Sequence, residues 1–255
     1  MNNSIAEKLE CIARNEQFIY NAGVEKGKAE AEKDGYNQGY ADGIEQGKQT
    51  ENNGFWDSYI FKEPMTDSAG LFAGRGWNDK SFKPNKSFTI SGSSAYIFYN
   101  TGITDFVGLL ERLGVTITFS DISGNVITSY SALTTFPPIS FRAALTNAFA
   151  NSANLVTVEK VILKEDGSNT FSSPFNNCPE LKNITFEGVI GQNGLNIQSS
   201  TKLSSESIES VINALSTTTS GLTVTISKTA KENAFTDEEW ASLIATKPNW
   251  TISLA

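Results

Sequence analysis

Two stretches, FANSANLVTVEKVIL at residues 149–163 and FNNCPELKNITFEGVI at residues 175–190, decide how this chain is read. Each opens on a phenylalanine and passes through Asn, Ser or Cys to a leucine six residues on. Each then reaches a third apolar residue three further along: Phe149, Leu155 and Val158 in the first, Phe175, Leu181 and Ile184 in the second. A short β-prone run follows each leucine. A polar turn followed by a short strand, repeated at intervals of a few tens of residues, marks supersecondary units that cannot bury their apolar faces alone and stack to share one core. The same spacing is met earlier at Ile97, Ile103 and Phe106, and at Ile127, Leu133 and Phe136. The leading residues Ile97, Ile127, Phe149 and Phe175 are 30, 22 and 26 residues apart. Cys178 falls in the turn, where a small, weakly polar side chain fills or satisfies a buried bend. A structural role is expected for it rather than a reactive one.

Downstream, SSESIESVINALS at residues 204–216 sets Ile208, Val211, Ile212 and Leu215 at helical spacing, and LTVTIS at residues 222–227 alternates as a strand does. Thr236 and Glu239 form a capping-box pattern ahead of Trp240, Leu243 and Ile244, so a helix is expected there, with Lys247-Pro248 ending it. Trp250–Leu254 reads as a last short strand.

Upstream, residues 1–52 differ in kind. Gly23, Gly27, Gly35, Gly39, Gly43 and Gly47 recur in steps of four, with Ala31 in the vacant slot. One reading is a flexible polar linker. The other is a helix, from about residue 4 to 50 and on the order of 70 Å long. Its small residues would let a second backbone approach closely. Six glycines cost a solitary helix about 6 kcal/mol against alanine, so such a helix needs a partner. The expected partner is another copy of the chain, with Gly23, Gly27, Ala31, Gly35, Gly39, Gly43 and Gly47 at the contact. Residues 53–90 contain the aromatic cluster Phe55, Trp56 and Tyr59, then a Gly- and Asn-rich run. The aromatics would serve either as a ligand surface or, as favoured here, as part of a connector that plugs the open end of a repeat core.

Composition narrows the function. The chain has no histidine, which removes the commonest general base and zinc ligand and excludes Ser-His-Asp and Cys-His catalysis within one chain. Its two cysteines, Cys11 and Cys178, form neither a disulfide framework nor a paired metal motif. A formal charge of -8 disfavours nucleic acid, whose binding rests on Lys and Arg. No stretch reaches the apolar length of a membrane span, and the N-terminus lacks a signal-peptide pattern. A carboxylate-pair glycosidase needs only two acids. Asp105 with Asp121, or Glu159 with Asp166, are the candidates, and no motif singles them out.

The stretch FNNCPELKNITFEGVIG and its sibling resemble the BspA-like, Treponema-type leucine-rich repeats of bacterial surface proteins, over roughly residues 95–200. The block KGKAEAEKDGYNQGYADGIEQGKQTENNGFWDSY, followed by GRGWNDKSFKP, resembles proteins encoded in phages and prophages of gut Firmicutes. The resemblance implies a virion or bacterial-surface location and an adhesive or virion-structural role, and it brings no catalytic residues. The fold expected is α+β: a long N-terminal helical stalk, a short leucine-rich-repeat-like β/α solenoid, and a C-terminal helix-strand cap. The expected divisions are 1–52, 53–90, 91–227 and 228–255. No cofactor or metal is expected. The expected partners are the chain itself, virion proteins, or a host cell-surface protein or glycan, with no nucleic acid and no membrane insertion. A purely structural phage component is the alternative, and a glycan hydrolase the remote one.

Overall fold

The structure is a computed structural model that describes residues 65–67, 72, 77–93, 97–98, 101–123 and 132–255. The chain forms two compact units, Met1–Ile60 with Lys80–Asn85 and Phe61–Asp79 with Lys86–Ala255. Everything that follows concerns the second. The glycine row from Gly23 to Gly47, Ala31 within it, the aromatic cluster at 55–59 and Ile127 all lie outside the described residues.

In chain order the elements are β1 (Met65–Asp67), β2 (Phe88–Ser93), α1 (Phe106–Leu113), β3 (Ile117–Ser123), β4 (Thr135–Phe136), β5 (Ile139–Phe141), β6 (Ala144–Thr146), β7 (Thr157–Ile162), β8 (Thr170–Ser172) and β9 (Asn183–Glu187). Then come β10 (Asn196–Ile197), α2 (Ser205–Ala214), β11 (Leu222–Ile226), α3 (Lys228–Ala234), α4 (Asp237–Ile244) and β12 (Trp250–Leu254). The main sheet runs β1-β2-β3-β5-β7, with β4 and β9 also paired to β7. A second sheet is β6-β8 and a third is β10-β11-β12. Every one of these pairings is parallel.

The α+β expectation is therefore wrong. The described residues form a mostly parallel-strand α/β arrangement with four short helices, the longest being the ten residues of α2. No long helix is among them. Parallel neighbours cannot be joined by a hairpin and need a crossover of a dozen residues or more, so each return segment, helical or not, sits between two strands of one sheet. Segment 228–255 shows the consequence. There β12 continues the β11 ladder in unbroken register from Leu222↔Trp250 to Ile226↔Leu254. The individual elements expected near 205–216, 222–227, 236–244 and 250–254 are present, including the reciprocal Thr236–Glu239 capping box.

The periodicity works through register. Thr135 pairs Thr157, and Thr157 pairs Asn183. The turns between strands stack in the same way. Asn147, Phe149 and Asn151 donate their backbone N–H groups to the carbonyls of Ser172, Pro174 and Asn176, at 2.9, 2.8 and 2.8 Å. Asn147, Asn151, Ser173 and Asn177 all have positive φ, a conformation asparagine tolerates better than most residues. Asn177 Nδ2 also donates to Asn151 Oδ1 at 3.2 Å, so the turns are laddered by side chains as well as backbone. Gly188 and Gly194 hold φ of 89° and 100°, and a Cβ on either would collide with the carbonyl of Leu163 or Phe171 in the preceding turn.

Inside, the core residues expected from the sequence are at most 2% exposed: Ile97, Ile103, Phe106, Leu133, Phe136, Phe149, Leu155, Val158, Phe175, Cys178, Leu181 and Ile184. Phenylalanine rings run through them as a spine. Phe98 meets Phe106 at 4.8 Å, Phe119 meets Phe136 at 4.9 Å, and Phe136 meets Phe149 at 5.5 Å. Phe149 stacks on Phe175 at 5.2 Å with 6° between the planes. Offset and edge-to-face rings add to area burial, which suits a core that must be continuous from one turn to the next. Asn169, wholly buried, joins two turns by giving both Nδ2 hydrogens to the carbonyls of Phe141 and Ala143 and accepting from the Lys164 N–H.

One apolar triplet departs from the plan. Phe106 does not open a strand: Asp105 caps α1 there, its carboxylate accepting from the Gly108 N–H at 3.1 Å. The structure adds a further copy of the step. Ile197 and Leu203, 0% and 3% exposed, keep the six-residue step. Glu206 then occupies the third place, because α2 begins where a strand would.

Candidate functional site

Strands β3 and β9 of the main sheet bury one side and turn the other to solvent. In β9, Ile184 and Phe186 point into the core while Asn183, Thr185 and Glu187 face water. In β3, Ile117, Phe119 and Ile122 are buried while Thr118 and Asp121 are exposed and Ser120 half-exposed. Period-two alternation thus converts a β-prone run into a row of polar groups on a rigid base.

Irregularities concentrate the charge. The register of β7 against β9 jumps between Val158↔Ile184 and Val161↔Phe186, so that Glu159 and Lys160 together oppose the single residue Thr185. Pro137 and Pro138 occupy the matching interval between β4 and β5, where a missing N–H is tolerated because the ladder is already interrupted. Such bulges re-aim side chains. Lys160 Nζ reaches Glu187 Oε2 at 2.7 Å, both side chains being largely solvated. Asn183 Nδ2 donates to Thr157 Oγ1 at 3.3 Å. Glu159 is held above the usual carboxylate range, first by partial burial and then by the negative charge of Glu111. The surface therefore offers hydroxyls, an amide, an ion pair and a carboxylate that keeps its proton more readily than most. These are groups that recognise a polar partner by hydrogen bonding.

A shallow recess of about 440 Å³ adjoins this surface between β9 and α2, lined by Phe186, Gly188, Glu206, Glu209, Ser210 and Asn213. Glu206 is held below its usual range by its own backbone N–H and the hydroxyls of Ser204 and Ser205, which ties it to the start of the helix. No cluster of three or more acids and cysteines fit to hold a metal occurs among the described residues.

The acids considered for glycosidase chemistry have structural engagements. Asp105 caps α1, accepts from Thr135 Oγ1 at 2.9 Å and lies 3.7 Å from Arg112. Asp166 is held below the usual carboxylate range by the Ser168 hydroxyl first and then by the Ser168 N–H, which donates to it at 2.9 Å. Asp121 holds a positive φ of 51° at the β3 bulge, its N–H donating to Ser140 Oγ. Cys178 is fully buried, its thiol 3.0 Å from the Phe149 carbonyl and pushed by burial up to about 11. Ser152 and Ser200 hold the equivalent place in the adjacent turns, their hydroxyls buried without a hydrogen-bond partner.

Sequence reasoning named the buried residues and missed the exposed row. The signal was available in NITFE, whose positions alternate, whereas the bulge breaks the alternation in TVEKVI. Compared with family models, curated proteins and solved structures, the chain gives no match. Among the described residues no helix is long and apolar enough to cross a membrane.

Proposed function

We infer that this protein is a non-enzymatic binding module that acts on a phage particle or a bacterial surface and adheres to a host-surface protein or glycan. The reading rests on one observation. Thr157, Glu159, Lys160, Asn183, Thr185 and Glu187 form a contiguous hydrogen-bonding face on two registered strands, over a core with little freedom to adjust. Preorganised polar groups lose little entropy on binding, and parallel turns repeat the same groups at regular intervals. The resemblance of FNNCPELKNITFEGVIG to repeats of bacterial surface proteins supports the location in this reading.

Binding of the purified full chain to intact bacterial cells and to their isolated wall glycans tests this. Replacing Thr157 and Thr185 together with Arg places two bulky cations on the face. Cell binding is expected to fall at least tenfold while the melting temperature stays within a few degrees, because Thr185 is exposed and Thr157 only half-buried. Undiminished binding by a folded double variant would move the contact elsewhere.

A further inference from the structure

Three strand borders in this fold meet different neighbours. Beyond β9 lies α2, whose Ser207 and Ser210 hydroxyls accept from the Ile184 and Phe186 N–H groups at 2.9 and 2.7 Å. Beyond β4 lies the start of α1, where the Thr104 carbonyl accepts from the Thr134 N–H at 2.8 Å and Asp105 accepts from the Thr135 hydroxyl. Beyond β12 there is less: of the backbone groups that face away from β11, the Trp250 N–H donates to the Lys247 carbonyl at 3.1 Å, and among the described residues none pairs with those of Ile252 and Leu254.

We propose that this border of β12 pairs with β12 of a second copy, antiparallel about a two-fold axis centred on Ile252. The strand matches itself. Trp250, Ile252 and Leu254 continue the inner row of Leu222, Val224 and Ile226, while Thr251 and Ser253 occupy the opposite side. Centred pairing sets Ile252 against its twin, Trp250 against Leu254, and Thr251 against Ser253. Apolar meets apolar and hydroxyl meets hydroxyl. A slip by one residue would oppose the two kinds, and a slip by two would leave part of the strand without a partner, so the centred register uses the strand in full.

Three further observations select this occupant. The row loses its cover at the last strand: Val224 and Ile226 are fully buried, their partner Ile252 is half-buried, and Leu254 is 36% exposed. A second copy's row extends the same apolar layer. The run from Pro248 to Ala255 has no ionisable side chain, whereas unpaired edges in monomeric proteins are usually guarded by charge, proline or a bulge. The five residue pairs with β11 carry no bulge either, so β12 presents a regular template. Antiparallel pairing about a two-fold axis closes on itself, whereas head-to-tail addition would continue into filaments. Five residues a side bury far less than the roughly 1,200 Å² of stable complexes, so the dimer is weak and depends on concentration.

The test uses the full chain carrying Cys11→Ser, with the buried Cys178 retained. Ile252→Cys places identical thiols face to face on the axis, and Ser253→Cys does not. Under mild oxidation across a concentration series, Ile252→Cys is expected to form disulfide-linked dimer at least tenfold faster than Ser253→Cys alone. Mixing Ser253→Cys with Thr251→Cys is expected to restore the rate. In sedimentation of the otherwise unaltered chain, Thr251→Lys with Ser253→Lys leaves the inner row intact and is expected to raise the dimer dissociation constant at least tenfold, with the circular dichroism unchanged. The proposal is overturned by a chain monomeric at every concentration, by equal cross-linking of Ile252→Cys and Ser253→Cys, by an open series of higher oligomers, or by self-association that the lysine pair leaves untouched.

Discussion

The outer borders of β9 and β12 pose the same problem and receive opposite treatment. Both strands are five residues long, parallel to the preceding strand and set on an apolar inner row. At β9 the next turn of chain supplies a helix in place of a strand, and the serines on its inner side take over the hydrogen bonds that a neighbouring strand would make. Ser207 does this twice, accepting from the Ile184 N–H and donating to the Lys182 carbonyl at 3.0 Å. Beneath α2, Lys247 Nζ donates to the Asn213 carbonyl at 2.9 Å and to that of Leu215, so the helix C-terminus meets a buried cation. At β12 the row runs out with Leu254 partly in water. The difference teaches that a parallel ladder does not stop where its apolar pattern stops. It stops where side chains can stand in for a missing strand.

The sharpest way to break the comparison is to remove its common support. Phe149 stacks on Phe175 and touches Phe136 at the middle of the spine, so Phe149→Ala is expected to cost about 3–5 kcal/mol in chemical denaturation. Leu254→Ala, at the open border, is expected to cost less than about 1 kcal/mol in the monomer because that side chain is already partly hydrated. Equal losses would mean that β12 is as enclosed as the spine.

The next effect depends on pH. The Cys178 thiol is neutral in the core, and burial pushes it up to about 11. An unfolded cysteine ionises near 8.5. Below that value both states hold the proton and the contribution to stability is complete. Above it the unfolded chain sheds its proton while the folded chain does not, so stability falls through the window up to about 11. The loss amounts to about 3 kcal/mol, at roughly 1.36 kcal/mol per pH unit. The stability difference between the native chain and Cys178→Ala, followed by urea denaturation from pH 7 to 11, is expected to shrink by that amount. A constant difference would mean that the thiol ionises freely in the fold.

A smaller effect probes the closed border directly. Ser207→Ala removes the acceptor of a buried N–H and is expected to cost about 2 kcal/mol. Ser210→Ala, nearer to water, is expected to cost about 1 kcal/mol. If both changes were neutral in denaturation, the β9 border would not depend on hydroxyl substitution.

Much of the interior was legible because burial leaves a period. The interval from Phe149 to Leu155 to Val158 is a property of the turn and strand, and the chain repeats it. Strand direction was not legible in the same way. An apolar run such as VTVEKVI reads alike in parallel and antiparallel sheets, and only the long intervals between runs imply crossovers. The replacement of a strand by α2 was partly visible. Ser204, Ser207 and Ser210 stand three apart beside Ile208 and Val211, which places hydroxyls on the buried side of a helix. The exposed row on β7 and β9 was harder to see, because nothing in TVEKVI announces the bulge that turns both Glu159 and Lys160 outward. That bulge follows from the partner strand having one residue fewer.

Amide hydrogen exchange, followed by NMR at concentrations below any self-association, tests most directly whether one border is sealed and the other is not. The Ile184 and Phe186 amides are expected to be protected to nearly the level of the core, and to lose that protection in Ser207→Ala and Ser210→Ala respectively. The Ile252 and Leu254 amides of β12, which face away from β11, are expected to exchange as freely as a surface loop. Strong protection of those β12 amides in the isolated monomer, or rapid exchange at Ile184 and Phe186 in the unaltered chain, would contradict the account.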